Sequence, residues 1–150
     1  MDEYEEISCL MRKGYHSEAL ERLVDESGKV RPAFRKDLNH AWYLAGNAAY
    51  DIGQVDRALK FFKNSAKASP EDPQALMAIA YCYSDLDKPR WAVHYLSKAI
   101  EIDPKNPDLI YNLANAYFEL NRYAEAANLY RKVIKIGEGE TKVWAAQNLE

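Results

Sequence analysis

The same pattern of residues recurs every 34 positions along most of this 150-residue chain, and this period restricts the fold more than any other feature. Segment 42–70 aligns with 76–104 and then with 110–138. In each copy an alanine is followed four residues later by a large side chain: Ala58 and Phe62, Ala92 and Leu96, Ala126 and Tyr130. A unit of this length buries its apolar face only against neighbouring copies, so the period predicts a stack of repeats.

Apolar residues at helical spacing predict two helices in each unit. The first helices are expected at about 39–52, 73–86 and 107–120, and the second at about 56–68, 90–102 and 124–136. Asp72-Pro73 and Asn106-Pro107 each place an N-cap before a proline at the first helical position. Gly53 and Asn121 fall in the turns between paired helices, where a positive φ is tolerated.

This pattern resembles the tetratricopeptide repeat, a helix-turn-helix family with a period of 34 residues. The resemblance covers roughly residues 39–138 and implies an all-α fold, a right-handed superhelical solenoid of antiparallel helix pairs. Gly46 and Ala58 would let the two helices of one unit approach closely. The motif positions of the first clear unit hold Trp42, Ala45, Gly46, Ala49, Ala58, Phe62, Ser65 and Pro70.

The repeat register divides a single expected domain, residues 1–150, into consecutive parts. Thr141 is expected to be the N-cap of the last part, with Trp144 at the motif's Trp position. That last part is either a capping helix or the start of a further repeat. The parts are a degenerate N-terminal repeat at 3–26, regular repeats at 39–72, 73–106 and 107–140, and a C-terminal helix at 141–150.

Residues 27–37 interrupt the register, because Ala19 lies 39 positions before Ala58 rather than 34. The segment is either a loop or an extended helix that begins at Pro32. We expect the extended helix, since Phe34 and Leu38 would then share a face with the following repeat.

Composition and motifs favour a non-catalytic protein in the cytoplasm. The net charge of −3 does not suggest nucleic-acid binding, and no apolar run approaches the length of a membrane span. His16, His40 and His94 lack i, i+4 spacing with each other or with a cysteine, so no metal site is expected. No phosphate-binding loop or nucleophile elbow is present, and no cofactor is expected. Cys9 and Cys82 are interpreted as lone thiols.

The resemblance implies that the first helices line a concave groove that binds an extended peptide or a helix of a partner protein. Asparagine amides can both donate to and accept from a peptide backbone, and tyrosine offers a flat surface with a polar tip. The alternative for the tyrosines is packing between repeats. The predicted peptide-binding residues are Tyr43, Asn47, Asp51, Met77, Tyr81, Asp85, Tyr111, Asn112, Asn115 and Phe118.

The nature of the partner is restricted by what the expected groove contains. Co-chaperones of this family hold the C-terminal carboxylate of large heat-shock chaperones with a clamp of Lys, Asn, Asn, Lys and Arg. The matching positions hold Tyr43, Asn47, Ala78, Asp108 and Asn112, which lack the basic residues, so this ligand is excluded. Acidic residues outnumber basic ones along the groove, which predicts a neutral or basic partner: Asp51, Asp85, Asp108 and Glu119 against His40 and Lys142.

The function predicted from these residues is a protein-interaction module that acts as scaffold or adaptor. A second hypothesis is a homo-oligomer that assembles through Trp91 and Tyr95, which lie i, i+4 on a second helix. The alternative interpretation is that Trp91 and Tyr95 pack locally against each other and are shielded from solvent by the long side chains of their neighbours. A third hypothesis is a regulatory segment of a larger enzyme or secretion component.

Overall fold

The computed structural model describes residues 2–137 and 139–149, without the side chain of Glu140. Within these residues there is no β-strand, only an isolated antiparallel bridge between Val24 and Val30. The expected all-α class is therefore confirmed. The helices are α1 (Glu3–Arg12), α2 (His16–Leu23), α3 (Leu38–Asp51), α4 (Val55–Ala68), α5 (Pro73–Asp85), α6 (Pro89–Ile102), α7 (Pro107–Glu119), α8 (Tyr123–Ile136) and α9 (Glu140–Leu149), with a 3₁₀ turn at Pro32–Phe34.

The chain forms two compact units, residues 1–71 and 72–150. In the first unit α3 packs against α4, and α2 packs against both α1 and α3. In the second unit α5 pairs with α6 and α7 pairs with α8. The second pair stacks on the first through α6 and α7, and α9 packs on α8 and α7. This is the solenoid-like arrangement of helix pairs that the period predicts.

Helix starts of the regular repeats agree with the expected bounds to within one residue, and at α5 and α7 a capping residue marks the start in the sequence. The Asp72 side chain accepts from the backbone N–H of Gln74 at 2.9 Å. The Asn106 side chain accepts in the same way from Asp108 at 3.0 Å. Each proline that follows a cap occupies the first helical position, where its missing N–H costs nothing.

The turns between paired helices adopt the positive φ that was expected. Gly53 has φ 83° and Asn121 has φ 61°. Asp87, midway between them in the 34-residue register, has φ 58°. Asn and Asp visit this left-handed region more readily than other side chains that carry a Cβ. The same backbone turn thus recurs in all three regular repeats.

A glycine allows α3 and α4 to approach closely, as expected. A Cβ built on Gly46 would lie 2.5 Å from two carbons of the Phe62 ring, far inside van der Waals contact. Phe62 and Ala58 are fully buried on α4. The large ring occupies the space that a side chain at Gly46 would need.

The expected extended helix at Pro32 is wrong. The segment forms one 3₁₀ turn, and α3 begins only at Leu38, after the side chain of Asp37 caps the His40 N–H at 3.1 Å. The Tyr4 hydroxyl lies 3.0 Å from the backbone oxygens of both Phe34 and Asp37. The Tyr4 ring covers Phe34 edge to face at 5.1 Å. These long-range contacts from α1 override the local apolar spacing.

The expected role of Thr141 as an N-cap is also wrong. Helix α9 begins one residue earlier, and Thr141 is buried within its first turn. Its hydroxyl instead donates to the carboxylate of Asp108 on α7 at 2.6 Å. Trp144 remains 45% exposed, with its ring 5.9 Å from that of Tyr111.

Candidate functional site

The predicted peptide-binding residues all lie on the first helices of the regular repeats. In the first unit they share one face of α3 because they are spaced four residues apart. In the second unit they belong to α5 and α7. By helix they are Tyr43, Asn47 and Asp51 on α3, Met77, Tyr81 and Asp85 on α5, and Tyr111, Asn112, Asn115 and Phe118 on α7.

Some of the predicted site residues on α3 make contacts within the first unit itself. Tyr43 is half-buried, and its ring is tilted against Phe62 at 5.7 Å. Asp51 is exposed at the end of α3, with Oδ2 3.4 Å from Nδ1 of His16 on α2. This contact spans two helices that the sequence period does not relate, so sequence analysis did not detect it.

In the second unit a hydrogen-bond network joins α5 to α7. The side-chain amide of Asn112 donates to the Tyr81 hydroxyl at 3.0 Å and to the Asp108 carbonyl at 2.8 Å. The same nitrogen lies 3.7 Å from the Met77 sulfur. Tyr81 keeps 43% of its surface exposed. The structure therefore brings three predicted site residues together and leaves an aromatic ring accessible.

Asn115 is positioned by the core of its own repeat. Its side-chain oxygen accepts from the hydroxyl of Tyr130, which is buried on α8. Burial, with Tyr111 and Glu119 nearby, raises the pKa of Tyr130 to about 12, so this hydroxyl keeps its proton at neutral pH. Among the described residues, no hydrogen-bond acceptor pairs with the amide nitrogen of Asn115.

These residues surround one pocket of ≈150 Å³ between α5 and α7, here called the α5–α7 pocket. It contains four of the ten predicted site residues. Leu96 was not among the predicted site residues because it lies on α6, the second helix of its repeat. The sequence feature that could have identified it is the large side chain that recurs four residues after the alanine, here Ala92. The lining residues are Met77, Ala80, Tyr81, Ser84, Leu96, Asn112, Asn115 and Glu119.

Three other predicted residues of the second unit do not line this pocket: Asp85, Tyr111 and Phe118. The Tyr111 ring is tilted between Tyr130 at 5.8 Å and Trp144 at 5.9 Å, and its hydroxyl accepts from Asn148 at 3.2 Å. Tyr111 therefore packs against other helices, which was the alternative to a ligand contact for the tyrosines. Phe118 is 51% exposed, and its ring meets that of Tyr123 in a T-shaped arrangement at 5.1 Å.

The mouth of the α5–α7 pocket is acidic. Burial and then the neighbouring carboxylates of Asp87 and Asp85 raise the pKa of Glu119 above its usual value. Burial, and after it the carboxylate of Asp85, raises the pKa of the buried Cys82 thiol to about 12. After burial, the carboxylates at this end of the unit thus act on two groups, Glu119 and Cys82.

The first unit carries two wider depressions, of ≈510 and ≈570 Å³, around the C-terminal half of α2. Arg31 lines both and donates to the backbone oxygen of Glu21 at 2.7 Å. Arg22 pairs there with Glu18 and Glu6. In the larger of the two depressions, the Arg22 guanidinium is thus paired with two carboxylates.

The residues that the structure describes contain neither a candidate metal site nor a candidate membrane-spanning helix. No group of three or more His, Cys, Asp or Glu side chains there is arranged to hold a metal ion. Within 2–137 and 139–149, no helix has both the length and the apolar character that crossing a bilayer requires.

Comparison with protein families gives two matches, both to models described as tetratricopeptide repeat. They cover residues 43–87 and 87–149, which together span more than two thirds of the chain. No curated protein matches the sequence.

Several solved structures share the fold. MamA is 19% identical, with a TM-score of 0.75 over 99% of this chain and 86% of that one. YrrB, described as a TPR protein with an unusual peptide-binding site, is 19% identical, with a TM-score of 0.77 over 97% and 73%. The first TPR of Spaghetti (RPAP3), bound to the HSP90 peptide SRMEEVD, is 20% identical, with a TM-score of 0.69 over 85% and 91%. Identities this low show the fold alone.

Proposed function

The chain belongs to the tetratricopeptide repeat family, and from that premise we propose that it is a non-catalytic protein-interaction module. As scaffold or adaptor, it would bind an extended or helical peptide segment of a partner along the first helices of its repeats. Two structural relatives, YrrB and the first TPR of Spaghetti, are described with peptide sites or peptides.

The observation that carries this proposal is the α5–α7 pocket with its unused hydrogen-bonding capacity. The Tyr81 hydroxyl accepts from Asn112 and so retains its own hydrogen for a ligand acceptor. The Asn115 amide nitrogen offers a second donor. An exposed aromatic ring beside two such groups is typical of a peptide-binding surface, where rigid aromatic residues provide most of the contact energy.

Charge supports a neutral or basic ligand. The peptide SRMEEVD in the Spaghetti complex ends in an acidic stretch. The clamp positions of this chain instead include Asp108, and its first helices also carry Asp85 and Glu119. Like charges across an interface oppose association, so this surface selects against acidic segments.

A peptide array of graded net charge, probed with the complete 150-residue chain, tests this function. We expect binders to be neutral or basic and to lose affinity when Tyr81 is replaced. If the array returned only acidic sequences, the charge argument would fail. Binding that persists in both Tyr81→Ala and Asn115→Ala chains would place the site elsewhere.

Self-assembly is a second candidate function, favoured by an aromatic group on α6. Trp91 is 53% exposed and stacks on Tyr83 at 5.9 Å, and Tyr95 stacks on Tyr83 at 5.6 Å. His94 and Lys98 also contact the Tyr95 ring, which supports the alternative of local packing. Light scattering on the wild-type and Trp91→Ala chains separates the two: a dimer mass that falls to a monomer mass supports assembly.

We also propose a cytoplasmic location. Cys9 and Cys82 are both free thiols, which is the usual state in a reducing compartment. Fractionation of cells that express the tagged protein tests this location.

A further inference from the structure

Two helices of the second unit end in acidic residues. Helix α5 ends at Asp85 and α7 ends at Glu119. A helix C-terminus already carries partial negative charge, and basic residues in the last turn normally compensate it. Neither α5 nor α7 has a basic residue in its last turn, and Asp87 follows the C-cap residue of α5. The end of the unit that carries these residues is therefore favourable for a cation.

The protein itself supplies no cation to Glu119 among the residues described. The nearby guanidinium of Arg122 is held by Glu125, with two hydrogen bonds of 2.7 Å. The same group lies over the Tyr117 ring at 4.8 Å. No Lys, Arg or His group in the described chain lies within 4.0 Å of the Glu119 carboxylate.

The α5–α7 pocket beside Glu119 has the size and lining for one long side chain. At ≈150 Å³, the pocket offers room for one long side chain. Met77, Ala80 and Leu96 provide an apolar surface, while Ser84 and Glu119 are polar.

We infer that this pocket receives a lysine or arginine side chain of the bound segment, with Glu119 as the counter-ion. This inference rests on the proposed peptide-binding function and specifies its ligand. Lysine and arginine match the pocket because they carry a charged head on an apolar stem, which packs on Met77 and Leu96. An arginine can in addition stack its planar group on the exposed ring of Tyr81.

Synthetic peptide libraries test this assignment on the complete chain. Each library consists of acetylated and amidated heptapeptides with uncharged, randomised flanks and one central residue: arginine, lysine, citrulline or glutamate. Citrulline has nearly the shape of arginine without the charge. We expect the arginine and lysine libraries to bind at least about tenfold more tightly than the citrulline library, and the glutamate library to bind most weakly.

Two variants connect this preference to Glu119. Glu119→Gln should abolish the preference for arginine over citrulline while Tyr81-dependent binding persists. Glu101→Gln, which removes an exposed carboxylate of α6 outside the pocket, should retain the full preference. Circular dichroism of each variant verifies that the fold is unchanged.

The outcomes separate this inference from the function on which it rests. Equal affinity for the arginine and citrulline libraries would overturn the cation pocket and leave the interaction module intact. A preference that survives Glu119→Gln would also overturn it. If no library bound, or if binding did not depend on Tyr81, the proposed function would fail and the pocket assignment with it.

Discussion

The hydroxyl of Tyr81 on α5 accepts a hydrogen bond of 3.0 Å from the side-chain amide of Asn112 on α7. The two residues are 31 positions apart and belong to consecutive repeats. Because the bond holds the ring while 43% of its surface stays exposed, little side-chain entropy remains to be lost when a ligand packs on it. Tyr81 is accordingly the expected anchor of the peptide site.

Tyr81→Ala should raise the dissociation constant of the best array peptide at least about tenfold, which corresponds to about 1.4 kcal/mol. The reason is the loss of both the exposed ring and the hydroxyl group. Isothermal titration calorimetry measures the effect. Tyr15→Ala is the matched control, since Tyr15 is also exposed (56%) but lies in the first unit, outside the α5–α7 pocket. Similar losses in both variants would contradict a local role for Tyr81.

Asp85→Lys should slow association of a basic peptide and flatten the salt dependence of its rate. Charges at the edge of a binding surface mainly steer encounter, while buried contacts determine dissociation. Stopped-flow kinetics at several ionic strengths measures both rates. An unchanged association rate, or a change confined to dissociation, would show that Asp85 does not steer the ligand.

Gly46→Ala should destabilise the fold by roughly 1–3 kcal/mol, because the new methyl group would overlap the Phe62 ring. The next repeat suggests the rescue: its corresponding positions hold Ala80 and Leu96. Phe62→Leu in the Gly46→Ala background should recover part of the loss. Urea unfolding of the four chains gives the coupling energy. Additive effects of the two changes would show that these side chains do not compete for one space.

Ala92→Leu should destabilise by a similar amount, since Ala92 is fully buried between α6 and its neighbours and has no room for three more carbons. Thermal unfolding followed by circular dichroism measures the change. Val93→Leu, one position along at a half-buried site, is the control and should alter stability less. An unchanged melting midpoint for Ala92→Leu would count against the repeat register.

Glu119→Gln should slightly increase the free energy of unfolding at pH 7. The raised pKa of Glu119, caused by burial and by Asp87 and Asp85, means that folding disfavours the ionised carboxylate. Its contribution to stability is therefore fully present below the unfolded-state pKa, about 4.3 for Glu, and is lost as the pH rises through the folded-state value. Because the side chain is only partly buried and otherwise exposed, solvent screens the effect and the gain should stay below about 0.5 kcal/mol.

Urea unfolding at pH 7 and again below about pH 4 checks this sign, since the two chains should converge at the lower pH. The gain at pH 7 should shrink in an Asp87→Asn background, where one of the like charges is removed. Asn tolerates the left-handed backbone at this position. A Glu119→Gln chain that was less stable at pH 7 would reverse the assigned cause.

The regular helices could be predicted from the sequence because their signals are local and repeated. Proline after an N-cap, as at Asp72 and Asn106, marks a helix start whatever the rest of the chain does. The 34-residue recurrence of alanine and large side chains identified which faces pack together. The positions of charged residues along the expected groove likewise indicated the acidic character of the first helices.

The segment before α3 could not be predicted, because its conformation depends on a residue about 30 positions away. Apolar spacing alone favoured a continuous helix from Pro32. The Tyr4 hydroxyl contacts the oxygens of Phe34 and Asp37 and holds a turn there instead. Local propensities of a few tenths of a kcal/mol per residue are readily outweighed by such contacts.

The residues of the candidate site were predicted by helix face, but their individual roles were decided by tertiary contacts. Sequence periodicity placed Tyr81, Asn112 and Tyr111 on equivalent faces and could not distinguish a ligand contact from packing. In the fold, Tyr111 packs between Tyr130 and Trp144, whereas Tyr81 stays exposed and is held by Asn112. A helical period determines the direction of a side chain; whether that side chain meets solvent or another helix depends on which elements pack beside it.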